Sequence, residues 1–349
     1  MRVAFVYPNP RGTLTARIAA GDAPDTNLLG QNHLHEFGID AYAYDSLLRR
    51  STPRNPLLHR LTWHARELTL PFELRDADLV VTPLANILPL AARLRRRPRV
   101  LLLSYHLVSA WDRAGRARRR LLRSSLAATA GILTVAEAAR ERLVARTGLA
   151  PSHVRTATLG VDTRWWTPTA LPSDGYVLSV GRDLARDYET FTRAVAGLDT
   201  RAVIVAKEEN LRRVTVPDNV EVRLNISPGE VRDLYAGARC VVVPVLPESD
   251  ARGTENSGTI ALLEAMASGR PVVVSERAYL REYTSPQTAR TFAPGDADAL
   301  RNELVSLLAD DDAAAALAAA ARRAVEERHS TRHFAEQLAR AIRELPWPA

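Results

Sequence analysis

Residues 255–276, ENSGTIALLEAMASGRPVVVSE, confine the chain to a narrow set of folds. The segment opens as a polar turn containing a glycine. Its apolar content then predicts a helix over Thr259 to Ala267, which stops at Ser268-Gly269, where glycine supplies the conformation that ends many helices. After Pro271, the run Val272 to Ser275 has no polar alternation. A strand without alternation is buried on both faces, and such strands belong to parallel sheets covered by helices. A turn of small residues that opens a helix presents unsatisfied N–H groups and the positive end of a dipole, a place to hold a phosphate. Glu264 is a carboxylate inside an otherwise apolar helix. It sits either on a narrow polar edge or points into a site, where it could reach a ribose.

The same helix-and-strand rhythm runs through the chain. In the first half, strands are expected at Arg2 to Tyr7, Ala41 to Tyr44, Leu79 to Thr82, Val100 to Ser104 and Ile132 to Val135. Helices are expected at Asn27 to Phe37, Ile87 to Arg95, Arg113 to Ala128 and Ala138 to Arg146. Residues 163–174, TRWWTPTALPSD, break the rhythm with two prolines and no periodicity, and read as a linker. The second half repeats the scheme from Tyr176 onward and ends in helices at Asp296 to Leu308, Asp312 to Glu327 and Thr331 to Leu345. The expectation is an α/β chain with a Rossmann-like domain over 1–162, a linker over 163–174, and a second Rossmann-like domain over 175–330.

Composition excludes several classes. A chain of 349 residues, 46% hydrophobic and 25% charged, has room for about two globular domains. No apolar run approaches the ~20 residues of a membrane helix, and the N-terminus enters a strand directly, so a cytoplasmic location is expected. Cys240 is the only cysteine, which excludes an internal disulfide or a cysteine zinc site. His329 and His333 are four apart but lack a third ligand nearby, and no tight carboxylate cluster is placed to hold a cation against a diphosphate. No metal and no cofactor are therefore expected. Arginines cluster at Arg95, Arg96, Arg97 and Arg99 and again from Arg113 to Arg123. They read as a solvated helix face, or as a contact with an anionic membrane surface or a polyanionic acceptor. Nucleic acid is not expected, because no aromatic residues interleave them.

Three further positions follow predicted strands, where open α/β sheets bind ligands. Gly181-Arg182 comes after YVLSV; the glycine permits a tight turn and the arginine is either a loop residue or a fork for phosphate oxygens. His106 comes after Val100 to Ser104 and is either a capped loop residue or part of a site. Gly12, in Pro8-Asn9-Pro10-Arg11-Gly12, follows the first strand without the G-x-G-x-x-G of a dinucleotide-binding enzyme.

Taken in order, Gly160-Val161-Asp162, Gly181-Arg182 and Glu264-Ala265-Met266-Ala267-Ser268-Gly269-Arg270-Pro271-Val272-Val273 resemble the motifs of glycosyltransferase family 4. These are retaining, nucleotide-sugar-dependent enzymes of the GT-B fold, with two Rossmann-like domains facing across a cleft. The resemblance implies a retaining, metal-independent glycosyltransferase whose second domain holds a nucleotide-diphosphate sugar and whose first faces a glycan, lipid or natural-product acceptor. It implies that the final helix, 331–349, returns to the first domain. Arg182 would clamp the donor diphosphate, helped by Gly181 and the amides of Ser257, Gly258 and Thr259. Glu264 would bind the ribose, Gly12 would approach the donor, and His106 would contact the donor sugar or the reaction centre. Two departures stand out. The first Glu of the family's pair falls on Asn256, and the usual lysine after Gly-Arg is missing, leaving Arg186 or Lys207 as its substitute. Those departures keep two rivals open: a nucleotide-sugar epimerase on the same fold, and a non-catalytic sugar-nucleotide-binding or partner subunit. Peripheral attachment to the inner membrane face is a further option.

Overall fold

A computed structural model describes residues 1–8, 11–44, 56–83, 86–95, 97–250 and 252–345. The chain divides into two compact units: unit 1 holds 1–19, 28–158 and 334–349, and unit 2 holds 20–27 and 159–333. Among the described residues no helix is long and apolar enough to cross a membrane.

Unit 1 runs β1 (Arg2–Phe5), α1 (Gly12–Ala19), β2 (Asp40–Ala43), α2 (Pro56–Glu73), β3 (Leu79–Thr82), α3 (Leu88–Arg95) and β4 (Arg99–Ser104). It continues with α4 (Leu107–Asp112), α5 (Arg116–Ala127), β5 (Gly131–Thr134), α6 (Glu137–Thr147) and β6 (Val154–Thr156). Its sheet has the order β2-β1-β3-β4-β5-β6 and every pairing is parallel. Apolar strand residues such as Ala4, Val80 and Val100 pack against Leu70, Leu74 and Leu88 around them.

Unit 2 runs β7 (Tyr176–Val180), α7 (Tyr188–Val195), β8 (Ala202–Ala206), α8 (Glu208–Leu211), β9 (Val220–Leu224) and α9 (Pro228–Ala236). Then come β10 (Ala238–Val243), α10 (Thr259–Ala267), β11 (Val272–Ser275), β12 (Arg290–Phe292), α11 (Ala297–Ala309) and α12 (Asp311–Arg328). Its parallel sheet has the order β12-β11-β10-β7-β8-β9. Counted within the unit, that is the 3-2-1-4-5-6 order of a Rossmann domain. The core gathers Val177, Phe191, Ile204, Val242, Val273 and Leu300, with Cys240 of β10 fully buried among them. The final helix, α13 (Thr331–Arg343), contributes Phe334 onward to unit 1. There Leu345 lies against Gly131, and Ala335 approaches Gly30 so closely that a Cβ would meet it at 3.0 Å.

Some expectations changed on folding. The Asn27 to Phe37 pattern forms two 3-10 turns, Asp25–Leu28 and Gln31–Phe37, rather than one α-helix. Leu29 and Gly30 both take positive φ, and that kink separates them. The helix expected over Arg113 to Ala128 is α5, which starts at Arg116 after Gly115 N-caps it in an extended conformation; α4, just before it, was not expected. Residues 163–170, within the expected linker, are strapped to unit 2. Arg270, fully buried, donates to the carbonyls of Thr169, Ala170 and Ala238, and Arg322 donates to those of Thr163, Trp166 and Ala267. Trp166 packs edge-on against Tyr235 at 5.4 Å. Gly160 lies on the Ser330 carbonyl, where a side chain has no room, and Val161 forms a parallel bridge with Ser330. Arg96 and the Asn9-Pro10 part of the first loop lie outside the described residues, as do the side chains of His59 and His64.

Candidate functional site

In an open parallel sheet, the crossovers leave two neighbouring strands in opposite directions at one point, and a crevice opens beyond their carboxyl ends. In unit 2 that point lies between β7 and β10. The loop after β7 carries Gly181, Arg182 and Arg186; the loop after β10 leads into Asn256, Ser257, Gly258 and α10. The two loops are stitched by their backbones. Leu246 N–H donates to Ala185 O at 2.9 Å, Asp187 N–H donates to Pro244 O at 3.1 Å, and Arg186 bridges antiparallel to Val245. The Tyr188 hydroxyl pins the β7 loop from below, donating to Gly181 O at 2.7 Å.

Arg186 is the buried cation of this crevice. Its Nε stands 2.9 Å from Asp183 Oδ2, while its Nη1 is buried without a hydrogen-bond partner. The side chain lies over Gly181: a Cβ there would fall 2.5 Å from Arg186 Cζ and closer still to Nε. Gly181 therefore serves packing as well as turning. Gly258, with φ +91, caps α10 and faces the same guanidinium; a Cβ there would stand 3.7 Å from Nη1 and 2.8 Å from Val245 Cγ2. Glu264 lies further along α10, half-buried. Burial pushes its carboxyl up to about 8, offset in part by a hydrogen bond from the Tyr235 hydroxyl, 3.5 Å from Oε2, and by the charge of Arg186. Tyr235 itself is fully buried, and its hydroxyl is raised by that burial and by Glu264.

The structure brings Gly181, Arg186, Gly258 and Glu264 around one crevice and leaves other expected residues at its margin. Arg182 is exposed, and its Nη2 donates to Ile226 O at 2.8 Å in the loop between β9 and α9. Lys207 is exposed at the start of α8. Asn210 of the same helix ties to the β7 loop through Asp183 O at 2.8 Å. Asn256 is half-buried, with Oδ1 accepting from Thr254 Oγ1 at 2.8 Å; Glu255 beside it is buried. Two of the three amides expected to face a phosphate are used inside the turn. Ser257 N–H donates to Thr254 O and Thr259 N–H to Asn256 O. The donors that a helix start leaves over are then those of Gly258, Ile260 and Ala261.

Gly12 and His106 belong to unit 1. Gly12 is the first residue of α1, beyond Arg11, whose guanidinium stands 4.6 Å over the Tyr7 ring. His106 is exposed and N-caps α4, its carbonyl accepting from Ala110 N–H at 2.8 Å. Sequence reasoning missed Asp183, Tyr188 and Tyr235. All three act by contacts made in the folded chain, and no spacing announces them. Among the described residues no three His, Cys, Asp or Glu side chains gather to hold a metal. Three Asp-x-Asp pairs do occur, and each has a member with a structural task, Asp310 capping α12 through Ala313 N–H at 2.9 Å. Asp78 accepts from Arg2 N–H at 2.8 Å, and Asp296 caps α11 through Ala299 N–H at 2.9 Å.

The family description "Glycosyl transferases group 1" matches residues 175–310, and "Glycosyltransferase Family 4" matches residues 16–165. Together they span both units. The chain belongs to the group 1, family 4 type of glycosyltransferases. It is 27% identical over 192 residues to the MMP alpha-(1->4)-mannosyltransferase of Mycolicibacterium hassiacum, a match covering 51% of this chain and 45% of that relative's length. Among solved structures, sucrose-phosphate synthase from Thermosynechococcus elongatus superposes with a TM-score of 0.73 at 19% identity, over 99% of both chains. Anabaena HepE in complex with UDP and glucose gives 0.71 at 14% identity, over 99% of this chain and 100% of that one. At such identities the likeness speaks for the fold, which is the two-unit α/β GT-B type of the glycosyltransferases.

Proposed function

We propose that this glycosyltransferase takes its sugar from a nucleotide-diphosphate donor held in the crevice between β7 and β10. It passes the sugar, with retention, to a glycan, lipid or natural-product acceptor. The observation that carries this reading is the buried Arg186 Nη1 without a partner, aimed beside the start of α10. A buried guanidinium donor without an acceptor is costly, and an anion in the crevice relieves it. The relatives support the choice of anion: HepE was solved with UDP and with UDP-glucose, and the partial relative is a mannosyltransferase.

In this reading Arg186 and the free amides at the start of α10 hold the diphosphate, with Arg182 and Lys207 reaching its outer oxygens from the rim. Glu264, as carboxylate, accepts the ribose hydroxyls. The charge that grows on the departing nucleotide is stabilised by the guanidinium and the helix dipole, with no metal and no cofactor. Gly12 and His106 of unit 1 serve the donor sugar and the reacting centre, and Asn256 offers uncharged hydrogen bonds where related enzymes have a carboxylate. The test is a thermal-shift series with nucleoside mono- and diphosphates and their sugars. A diphosphate at ~100 times its Kd should add about 2.7 kcal/mol of stability. The matching monophosphate should do much less. No stabilisation by any diphosphate would reject the reading.

A further inference from the structure

Residues 88–127 carry eleven arginines and one acid, a formal charge of +10 against +7 for the whole chain, so the rest of the chain is net acidic at −3. The single acid, Asp112, is engaged by Arg146 at 3.1 Å. The basic character of this protein therefore belongs to one place rather than to the surface at large.

Right-handed crossovers from β2 through β5 set α2, α3 and α5 side by side on one face of the unit 1 sheet. The outside of this layer is also apolar. Of the nine large apolar side chains most exposed among the described residues, four sit here: Leu94 at 87%, Phe72 at 55%, Leu68 at 51% and Leu121 at 47%. On α5, Arg119 bonds the end of α4 and Arg123 lies against Gly148 at the end of α6. Leu121 projects from the opposite flank of that helix, into solvent. On α3, the Arg95 guanidinium stacks over the Phe72 ring of α2, 3.2 Å from its centroid. Four exposed apolar side chains spread over three helices of an arginine-rich layer fall short of the continuous apolar core of a protein interface. They match a bilayer boundary, where Leu and Phe sink below the headgroups while arginines stay among the phosphates.

We propose that the α2–α3–α5 layer docks unit 1 onto an anionic phospholipid bilayer. A second copy of the chain would set two strongly cationic faces against each other. Nucleic acid would explain the arginines but not Leu94, whose side chain stands almost wholly in solvent.

The full chain can be tested by flotation with vesicles of phosphatidylcholine alone or with about a third phosphatidylglycerol. Binding should be at least about tenfold stronger to the anionic vesicles and should fall steeply at high salt. Two variants separate the contributions: Leu94→Ser with Phe72→Ser, and Arg116→Gln with Arg120→Gln. Each should lower binding several-fold with an unchanged melting temperature. Equal binding to both vesicle types, no binding at all, or anionic binding that Leu94→Ser with Phe72→Ser leaves intact would overturn the proposal. So would a lipid-free dimer that the same pair dissolves, or RNA competing as well as the anionic vesicles.

Discussion

The side chain of Arg186 lies where a side chain at Gly181 would have to be. Position 181 sets where the cation of the crevice rests, seven residues before α7 begins. Gly181→Ala should push the guanidinium out of place. Overpacking of this kind costs about 1–3 kcal/mol. Isothermal titration should show nucleoside diphosphate affinity falling by roughly tenfold or more, with monophosphate affinity much less changed. Unchanged diphosphate binding would mean that Arg186 does not touch the ligand.

Arg186 and Arg182 should separate in kinetics. Loss of a donor aimed at developing charge costs on the order of 10²–10³ in kcat. Arg186→Ala is expected in that range. Arg182→Ala should cost about tenfold, because its exposed guanidinium is already bonded to Ile226 O. EDTA should leave the wild type active. Turnover abolished by EDTA and restored by Mg²⁺ would refute the metal-free arrangement.

Glu264 makes a pH prediction with a definite sign. Its carboxyl is raised from 4.5 to about 8 in the folded protein. The folded state therefore holds that proton more tightly than the unfolded chain. Stability from this group is complete below 4.5 and is lost as pH rises toward 8. Ribose binding runs the other way, because it needs the carboxylate. Nucleotide affinity should rise with pH below 8, by up to about tenfold per unit, and level off above it. Glu264→Gln should flatten both profiles. A sloping affinity profile retained in that variant would assign the titration elsewhere.

The stereochemical expectation is checked directly. Proton NMR of the product, taken before mutarotation, should show the donor's anomeric configuration kept. Inversion would exclude the retaining reaction.

Arg270 ties Thr169 and Ala170 to the start of β10, with no exposure to solvent. Arg270→Ala would strand several buried carbonyls, each costing about 1–3 kcal/mol. Urea unfolding should show a loss of at least ~2 kcal/mol. A smaller loss would mean that the strap closes around the gap.

Much of this was legible because buried parallel strands leave apolar runs with no alternation. Leu79 to Thr82, Thr259 to Ala267 and Val272 to Ser275 have their expected bounds. The short strands Val154–Thr156 and Arg290–Phe292 were not legible, since three residues carry no period. Neither was α2, where Pro56 and Pro71 obscure the helical pattern. In the candidate site, spacing picked out Gly181, Gly258 and Glu264. It put Arg182 ahead of Arg186 and could not choose between Arg186 and Lys207, because position in a loop says nothing about which side chain is buried. The amides of Ser257 and Thr259 were misjudged for a similar reason, since the turn's internal bonding depends on its folded geometry.

The lone thiol offers a clock. Cys240 has no exposed surface at the centre of the unit 2 sheet, and burial pushes its thiol up to about 12. A thiol reagent can react only when β10 is opened to solvent, and no other cysteine competes for it. Labelling of the unmodified chain thus times the opening of unit 2 alone, whatever unit 1 is doing. A nucleotide seated between β7 and β10 would slow that clock in proportion to its occupancy, turning one buried sulfur into a binding assay that needs neither acceptor nor turnover.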